Sequence, residues 1–494
     1  MKRLIPFLLF LCLLCFLSSK DVLAIVDPLF FPNNKFGIHI IDENDLNDAA
    51  SLVNSNGGQW GYVTLVLAEK DRDKERVQNI FDRMRDLKLI PIIRLATKPE
   101  GEIWQKPKEE DAIIWAQFLD SLNWVIQNRY VILFNEPNHA KEWGGNVSPQ
   151  EYAQIAKTFS EKLKDVSDDF FVLPAGFDTS CPNSSQTMEF SRFLNQMIEE
   201  DPQIFLNFDG WTSHSYPNPG FSGSIFSSGQ GSIKSYEFEI GYIKKFSAKE
   251  NLPIFITETG WIHNGNNQNL KTNSPEEAAN LFKKAYEDVW TDQNIIAITP
   301  FLLNYQDSLF EEFSWKKKNS NDFYPQFEAV QSLLKETGSP KQIDSLALSS
   351  LNFPEKTKTG LLYPITLTIT NTGQTVWEKG TKLSLGIKLQ KSAEIEKILS
   401  KEVLPFEKIA FNFFLKTSSN TINSRLVFSV RKNGQVLGES VQKDLKTTYL
   451  PKFFTKLFNS FRKKDSTIDT IDLDSLSNPY LNSNLFFKKI FARL

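Results

Sequence analysis

The feature that most constrains the fold is an alternation of short apolar runs and amphipathic segments between about residues 35 and 335. Most of the runs are continuously apolar, which is typical of strands buried on both faces of a parallel sheet. The amphipathic segments between them predict helices that cover the strands. The predicted strands span 36–41, 62–67, 90–95, 130–134, 170–174, 208–213, 254–257 and 295–300.

The predicted helices include 70–89, 109–127, 148–166 and 274–290. Two of them start with a serine, a proline and a later glutamate, at Ser148 and Ser274, and this order is typical of a capped helix start. Eight such βα units predict an α/β fold, a (β/α)₈ TIM barrel over residues 25–340. A doubly wound open sheet is the main alternative, but no glycine-rich phosphate turn follows the first run.

A different pattern follows residue 340. Residues 341–450 contain short runs of alternating hydrophobicity, separated by turn sequences such as Asn371-Thr372-Gly373. This pattern predicts an all-β sandwich domain of Ig-like size. We expect Trp377 to pack in its core rather than to bind sugar.

The last residues, 451–494, form a basic tail with two apolar clusters, of which the second covers 485–494. An amphipathic helix docked on a domain, a partly disordered tail and contact with an anionic membrane surface all remain open. In the first cluster, Phe453, Phe454, Leu457, Phe458 and Phe461 share a helical face, flanked by Lys452, Lys456, Arg462, Lys463 and Lys464.

Residues 1–24 have the pattern of a secretory signal: two basic residues, an apolar run from Leu4 to Leu17, and small residues near Ala24. We therefore expect a secreted or cell-surface protein, with an uncleaved N-terminal anchor as the alternative. Cleavage would leave Cys181 as the one cysteine, which allows no intramolecular disulfide. A net charge of −3 indicates no nucleic-acid partner.

Two glutamates stand at the ends of predicted strands. Glu136 follows the fourth strand and Glu258 follows the seventh. The active site of a TIM barrel lies at the carboxyl ends of its strands, so the fold would bring these carboxylates together. A single glutamate in such a place is more often structural, but a pair of them favours glycosidic bond cleavage.

Histidine and tryptophan side chains cluster near the same strand ends. All four histidines, His39, His139, His214 and His263, lie in barrel strands or in the loops that follow them, which predicts a polar cleft. We expect at least two of five tryptophans to line that cleft, and Trp261 to bind substrate. The five are Trp104, Trp143, Trp211, Trp261 and Trp315.

At these residues the chain resembles the clan A glycoside hydrolases, the retaining TIM-barrel enzymes that include the family five cellulases. That group has an Asn-Glu pair after strand four and a second glutamate after strand seven, and Asn135, Glu136 and Glu258 match these positions. His214 and Tyr216 match a His-x-Tyr that often follows strand six. The resemblance covers about residues 35–335 and implies a glycoside hydrolase that needs neither cofactor nor metal.

The resemblance also implies roles. Glu258 would attack the anomeric carbon as a carboxylate, with Tyr216 donating a hydrogen bond to it. Glu136 would protonate the leaving oxygen and then act as a base towards water. Asn135 would bind the 2-hydroxyl of the sugar, and His214 would orient the substrate or a carboxylate. The substrate would be a β-linked oligosaccharide or polysaccharide.

Some positions depart from the family five pattern. Arg94 and His39, both assigned here to substrate binding, stand in a different order from the arginine and histidine of those cellulases. Arg94 is expected to pair with Glu258, with a structural ion pair as the alternative. Residues 300–305 replace the tryptophan that ends strand eight in those enzymes. The loop 217–235 is a candidate lid or cleft wall, or a plain surface loop.

Two other functions remain open. The first is a non-catalytic carbohydrate-binding barrel at the cell surface. Loss of either glutamate would favour this function, but both glutamates are present. The second is an unrelated hydrolase that uses the histidines with a metal ion.

Overall fold

Two compact units make up the chain, and they divide between Lys341 and Gln342, beside the boundary expected at residue 340. The predicted export signal, 1–24, and the second apolar cluster of the tail, 485–494, lie outside the described residues. The computed structural model describes residues 25–246, 251–263, 273–418, 423–461 and 468–477.

Parallel strands run through the first unit, each close to one of the predicted runs. Among the described residues there are eight of them. They are β1 (Gly37–Ile40), β2 (Gly61–Ala68), β3 (Leu89–Ala96), β4 (Arg129–Ile132), β5 (Phe170–Leu173), β6 (Trp211–His214), β7 (Ile254–Glu258) and β8 (Ile295–Ile298).

These strands close into a barrel. Strands β1 to β5 are hydrogen-bonded in chain order, and so are β6 to β8. Phe36, just before β1, forms a parallel bridge with Ile298 of β8, and Asp178, beyond β5, forms one with His214 of β6. The closed order fits the predicted TIM barrel rather than the open sheet.

A helix follows each strand of the barrel. The seventh helix continues into a π-helical turn, Ala285–Val289. In the described part of this unit the helices are α1 (Leu46–Val53), α2 (Lys74–Asp86), α3 (Asp111–Asp120), α4 (Pro149–Val166), α5 (Phe190–Glu200), α6 (Ser235–Ile243), α7 (Pro275–Lys284) and α8 (Pro325–Gln331).

One of the two predicted serine caps is present. Ser274 Oγ accepts a hydrogen bond from the Glu277 amide at 3.1 Å, and the Glu277 carboxylate accepts one from the Ser274 amide. This reciprocal pair satisfies two amides at the start of α7. At α4 the prediction is wrong, because Ser148 makes no capping bond and its side chain hydrogen-bonds the Glu151 carboxylate instead.

Apolar side chains fill the barrel up to the carboxyl ends of the strands, where charged groups begin. In β3, Ile92 and Ile93 are buried and Arg94 follows them. In β7, Ile256 is buried and Glu258 ends the strand. The fold therefore places ionisable side chains of several strands at one end of the barrel.

The second unit consists of β-strands with two short helices. Its strands are β9 (Leu346–Asn352), β10 (Lys356–Lys358), β11 (Leu362–Asn371), β12 (Lys382–Lys388), β13 (Ser392–Ile398), β14 (Lys408–Lys416), β15 (Asn423–Lys432), β16 (Gln435–Thr448) and β17 (Thr470–Asp472), and its helices are α9 (Lys452–Phe461) and α10 (Leu473–Ser477), counting described residues only.

The strands of this unit form two sheets that share one apolar core. The described strands are ordered β9-β11-β14-β17 in one sheet and β10-β16-β15-β12-β13 in the other. Leu367 of β11, Leu385 of β12 and Trp377 are buried in the shared core. The Trp377 indole donates a hydrogen bond to Asp344 Oδ1 at 2.9 Å, so packing accounts for this tryptophan.

Part of the segment expected as a tail belongs to this core. Strand β17 pairs in parallel with β14, and Ile471, Leu473 and Leu476 are buried. Alternating short runs do not reveal such a late strand, because it is three residues long. Within the residues that the structure describes, none of the helices combines the length and hydrophobicity needed to cross a membrane.

Candidate active site

The two predicted glutamates meet at the carboxyl end of the barrel. Glu258 is the last residue of β7, and Glu136 lies four residues beyond β4. A carboxylate oxygen of Glu136 lies within 4.8 Å of one of Glu258. The backbone at Glu136 has a φ of +28°, a conformation that costs energy in residues other than glycine and is common at active sites.

Both oxygens of Glu258 receive a hydrogen bond. Arg94 Nη1 donates to Oε1, and the Tyr216 hydroxyl donates to Oε2 at 3.1 Å. Burial alone would raise the pKa of Glu258, but chiefly the nearby His214 and Arg94 lower that pKa to about 2. Glu258 is therefore ionised at neutral pH, as a nucleophile must be.

His214 connects the two carboxylates. Its Nδ1 lies 2.9 Å from Glu136 Oε1 and 3.8 Å from Glu258 Oε2. Although burial disfavours the charged ring, Glu258 and Glu136 raise the pKa of His214. The ring therefore lies close to both carboxylates.

A glycine makes room for this histidine. A Cβ atom on Gly176, beyond β5, would lie 2.2 Å from Cδ2 of the His214 ring, which is far below van der Waals contact. Any other side chain at this position would displace the ring from Glu136. Gly176 carries no sequence signal, because the neighbour that requires it is distant in the chain.

Asn135 is held from two sides. Its Oδ1 accepts a hydrogen bond from Arg94 Nη1 at 2.7 Å, and its amide forms a hydrogen bond with the Glu142 carboxylate. Arg94 thus pairs with Glu258, one of its two expected alternatives, and also orients Asn135. Glu142 is a functional candidate that the sequence reasoning missed, because it follows no predicted strand directly.

The cleft above the carboxylates has a volume of about 320 Å³ and two chemically different walls. One wall is polar and is formed by Arg94 of β3 and by residues that follow β3, β4 and β5. The other wall is aromatic and follows β6 and β8, so the loop 217–235 forms part of it. The polar wall includes Arg94, Gln105, Asn135, His139, Lys141, Glu142, Asp178 and Ser180, and the aromatic wall includes Tyr216, Phe221, Phe301, Phe310 and Phe313.

The tryptophan prediction is wrong. Of the five tryptophans at strand exits, Trp104 alone lines the cleft. Trp261 is buried against Phe282 and Trp290, and its indole donates a hydrogen bond to the Gly223 carbonyl at 2.9 Å. Its side chain is therefore part of the core. The other three, Trp143, Trp211 and Trp315, are buried as well.

Phenylalanines supply the aromatic surface that tryptophans were expected to supply. Phe301, just beyond β8, packs edge-on against His39 with ring centroids 5.2 Å apart. Phe313 packs on Phe301 and on Tyr216. The sequence contains 41 phenylalanines, so no single one stood out.

Two histidines lie behind the cleft rather than in it. His39 is buried, and its Nδ1 is 3.9 Å from Glu258 Oε1, so it lies against that carboxylate and does not line the cleft. Burial and the charge of Arg94 lower the pKa of His39 to about 3, which makes it neutral. His263 is buried and hydrogen-bonds the Ser314 carbonyl at 2.8 Å.

The remaining histidine borders the cleft together with an aspartate. His139 Nε2 lies 2.9 Å from Asp178 Oδ2, and Cys181 lies next to them. Cys181 donates to the carbonyls of Asp178 and Met188, and burial raises the pKa of its thiol to about 12. A neutral thiol that donates to carbonyls is a poor metal ligand, so these contacts disfavour Cys181 as a metal ligand.

Comparisons with known proteins agree with the chemistry of this cleft. Residues 103–312 match a family model described as "Glycosyl hydrolase catalytic core". This stretch contains Asn135, Glu136, His214, Tyr216 and Glu258. No curated protein sequence matches the chain. The family match confirms the enzyme class expected from the sequence, a glycoside hydrolase.

Similar solved structures are distant. A monomeric beta-xylosidase from Caulobacter crescentus CB15 is 11% identical over 86% of this chain and 96% of its own, with a TM-score of 0.42. A GH5-4 broad specificity endoglucanase from Clostridium acetobutylicum is 13% identical over 61% of this chain and 96% of its own, also with a TM-score of 0.42. A GH128 (subgroup II) endo-beta-1,3-glucanase from Pseudomonas viridiflava is 12% identical over 60% of this chain and 97% of its own, with a TM-score of 0.40.

Proposed function

We propose that this protein is a retaining glycoside hydrolase that cleaves a β-linked glycan by double displacement. The observation that carries the proposal is the approach of the Glu136 and Glu258 carboxylate oxygens to within 4.8 Å. Retaining enzymes hold their two carboxyl groups about 5–5.5 Å apart, whereas inverting enzymes need about 6.5–9.5 Å to admit a water molecule. The spacing therefore favours direct attack by one carboxylate.

In the first step, an oxygen of Glu258 forms a bond to the anomeric carbon while the bond from that carbon to the leaving oxygen breaks. Glu136 gives its proton to the leaving oxygen, and the sugar remains as an ester of Glu258. Arg94 and Tyr216 keep Glu258 ionised and fix its orientation. Asn135, held by Arg94, is placed to bind the 2-hydroxyl, a contact that strengthens in the transition state.

In the second step, Glu136 takes a proton from water, and the water oxygen attacks the anomeric carbon. The ester bond breaks and Glu258 is released as a carboxylate. The His214 ring keeps Glu136 in place at 2.9 Å during both steps. The aromatic wall offers apolar ring faces to the sugar.

The same three groups, Glu136, His214 and Glu258, are also close enough together to hold a metal ion. Arg94 makes this use unfavourable, because its guanidinium already occupies Glu258 Oε1 and would repel a cation. We therefore expect activity to survive removal of metals by EDTA. Loss of activity that added metal restores would support the hydrolase with a metal centre.

Two substitutions test the assigned roles. Glu258→Ala should abolish turnover and leave the fold intact. Glu136→Ala should still react with aryl glycosides that have good leaving groups, release the sugar slowly, and recover turnover when azide is added. Glu161→Ala, at an exposed position of α4, is the control. Unchanged kinetics in either active-site variant would contradict the proposal.

We propose that the second unit is an Ig-like accessory domain. Two sheets with a shared core and mostly antiparallel neighbours support this. An accessory role predicts that a chain ending at Lys341 hydrolyses soluble aryl glycosides as fast as the full chain. Slower hydrolysis of these small substrates would contradict the accessory role.

We also propose that the protein is exported and that α9 contacts an anionic membrane surface. Phe453, Phe454 and Phe458 of α9 are solvent-exposed, Phe453 by 74%, and Lys452 and Lys456 flank them. Apolar side chains beside basic ones are typical of helices that lie in a membrane interface. Sedimentation with vesicles containing phosphatidylserine, but not with phosphatidylcholine alone, would support the contact. Cell fractionation tests export.

A further inference from the structure

Glu142 is a charged side chain in the cleft that the double displacement does not use. It ends the 3-10 turn that follows Glu136, lines the polar wall, and has a side chain that is only 11% exposed. Burial and the charge of Glu136 raise the pKa of Glu142. Both effects disfavour a carboxylate at this place unless hydrogen-bond donors approach it.

Few such donors come from the described residues of the protein. The Asn135 amide gives one hydrogen bond to Glu142, and Lys141 Nζ lies 4.0 Å from Oε1, which is beyond hydrogen-bond distance. Arg94 is already engaged with Glu258 and Asn135. A carboxylate has about four lone-pair sites, so Glu142 can accept further hydrogen bonds from a molecule in the cleft.

We propose that Glu142 accepts a hydrogen bond from the 3-hydroxyl of the reacting sugar. The inference rests on the proposed function, in which Asn135 binds the 2-hydroxyl. Because Asn135 and Glu142 touch each other, the hydroxyls that they bind are neighbours on the ring. The two neighbours of C2 are C1, which is the reacting carbon, and C3. The 3-hydroxyl is therefore the hydroxyl that Glu142 binds.

The proposal defines a substrate class: a sugar that carries a free hydroxyl at C3. A hydroxyl donates a proton to a carboxylate, whereas an ether or ester oxygen at C3 has none to donate. A substituent there would leave Glu142 buried without its partner, which costs more than the hydrogen bond contributes. Glu142 is thus a specificity residue and takes no part in bond breaking.

A cycle of substrate and enzyme variants tests the proposal. The probes are the aryl β-glycoside that the wild-type enzyme cleaves fastest and its 3-deoxy analogue, each measured with wild type and with Glu142→Ala. Loss of a hydrogen bond to a charged group should lower wild-type kcat/KM on the 3-deoxy substrate by about 10- to 100-fold. With Glu142→Ala the same change of substrate should lower kcat/KM by less than about threefold. Differences in intrinsic reactivity between the substrates cancel in the cycle.

Two controls separate this role from a structural one. Glu161→Gln, at an exposed position of α4 outside the cleft lining, should keep the full loss of kcat/KM, about 10- to 100-fold, on the 3-deoxy substrate. The 6-deoxy analogue should lower kcat/KM by the same factor with wild type and with Glu142→Ala. If Glu142→Ala does not fold, Glu142→Gln serves in the same cycle. In that variant the 3-deoxy substrate should lower kcat/KM by about three- to tenfold, because the hydrogen-bond acceptor is neutral.

The outcomes are distinct. The inference would be overturned if the 3-deoxy substrate lowered kcat/KM by the same factor in wild type and in the Glu142 variant. Equal loss on every substrate would also overturn it, since it would mean that Glu142 only positions Asn135. A wild-type enzyme that cleaves no glycoside would instead overturn the proposed function.

Discussion

Replacement of Arg94 by methionine should move the acid limb of the activity profile to higher pH. Arg94 donates to Glu258 Oε1 and is one of the groups that lower the pKa of Glu258 to about 2. Methionine fills similar space without charge. The activity profile should therefore report directly on the electrostatics of the nucleophile.

The size of the shift follows from the burial of Glu258. An adjacent arginine lowers the pKa of a carboxyl group by about 1–3 units. Without Arg94 the pKa of Glu258 should rise from about 2 to about 3–5. Since Glu258 must be ionised to attack, kcat/KM should fall to half near that higher value, whereas the wild-type enzyme stays active well below it.

The assay is kcat/KM for an aryl glycoside between about pH 3 and pH 8, with circular dichroism at each pH to confirm folding. Arg94→Lys is the matched control, because it keeps a positive charge and should keep the acid limb close to that of wild type. Activity at neutral pH should fall in both variants, since Asn135 loses its partner. An acid limb that is identical in the methionine and lysine variants would refute the reasoning.

Three further predictions concern the surroundings of the site. Gly176→Ala should lower kcat/KM at least about tenfold, because the new Cβ would overlap the His214 ring, whereas Gly241→Ala, with no atom within 4 Å of its Cβ, should not. Trp261→Phe should destabilise the protein by roughly 1 kcal/mol or more in urea unfolding and leave KM unchanged, since Trp261 lies in the core; a changed KM with unchanged stability would return it to the substrate site. Burial raises the pKa of Glu239 to about 7, so between about pH 4.5 and pH 7 the folded protein keeps a proton that the unfolded chain releases. The free energy of unfolding should therefore fall by about 3 kcal/mol as the pH rises from about 4.5 to above 7. Glu239→Gln should remove this slope, and an equal slope in the variant would contradict it.

Much of the barrel could be predicted because its strands are buried on both faces. Continuous apolar runs such as the one that precedes Asn135 mark such strands without any knowledge of their neighbours. The exit of each run then located Glu136 and Glu258. Strand β17 could not be predicted in this way, because three residues are too short for a pattern.

The remaining parts of the site depend on contacts between distant residues. Trp261 lies three residues beyond β7, which ends at Glu258, yet its side chain is buried in the core whereas Glu258 lines the cleft. Position near the end of a strand does not determine the direction of a side chain. Glu142 and Gly176 matter because of Asn135 and His214, and only the closed barrel brings these pairs together.

The anomeric form of the first product tests the central claim most directly, since it depends on the spacing of Glu136 and Glu258. Proton NMR during hydrolysis of an aryl β-glycoside distinguishes the two anomers before they equilibrate. Two displacements at one carbon predict that the β-anomer appears first. Initial release of the α-anomer would show a single displacement by water and would contradict the mechanism.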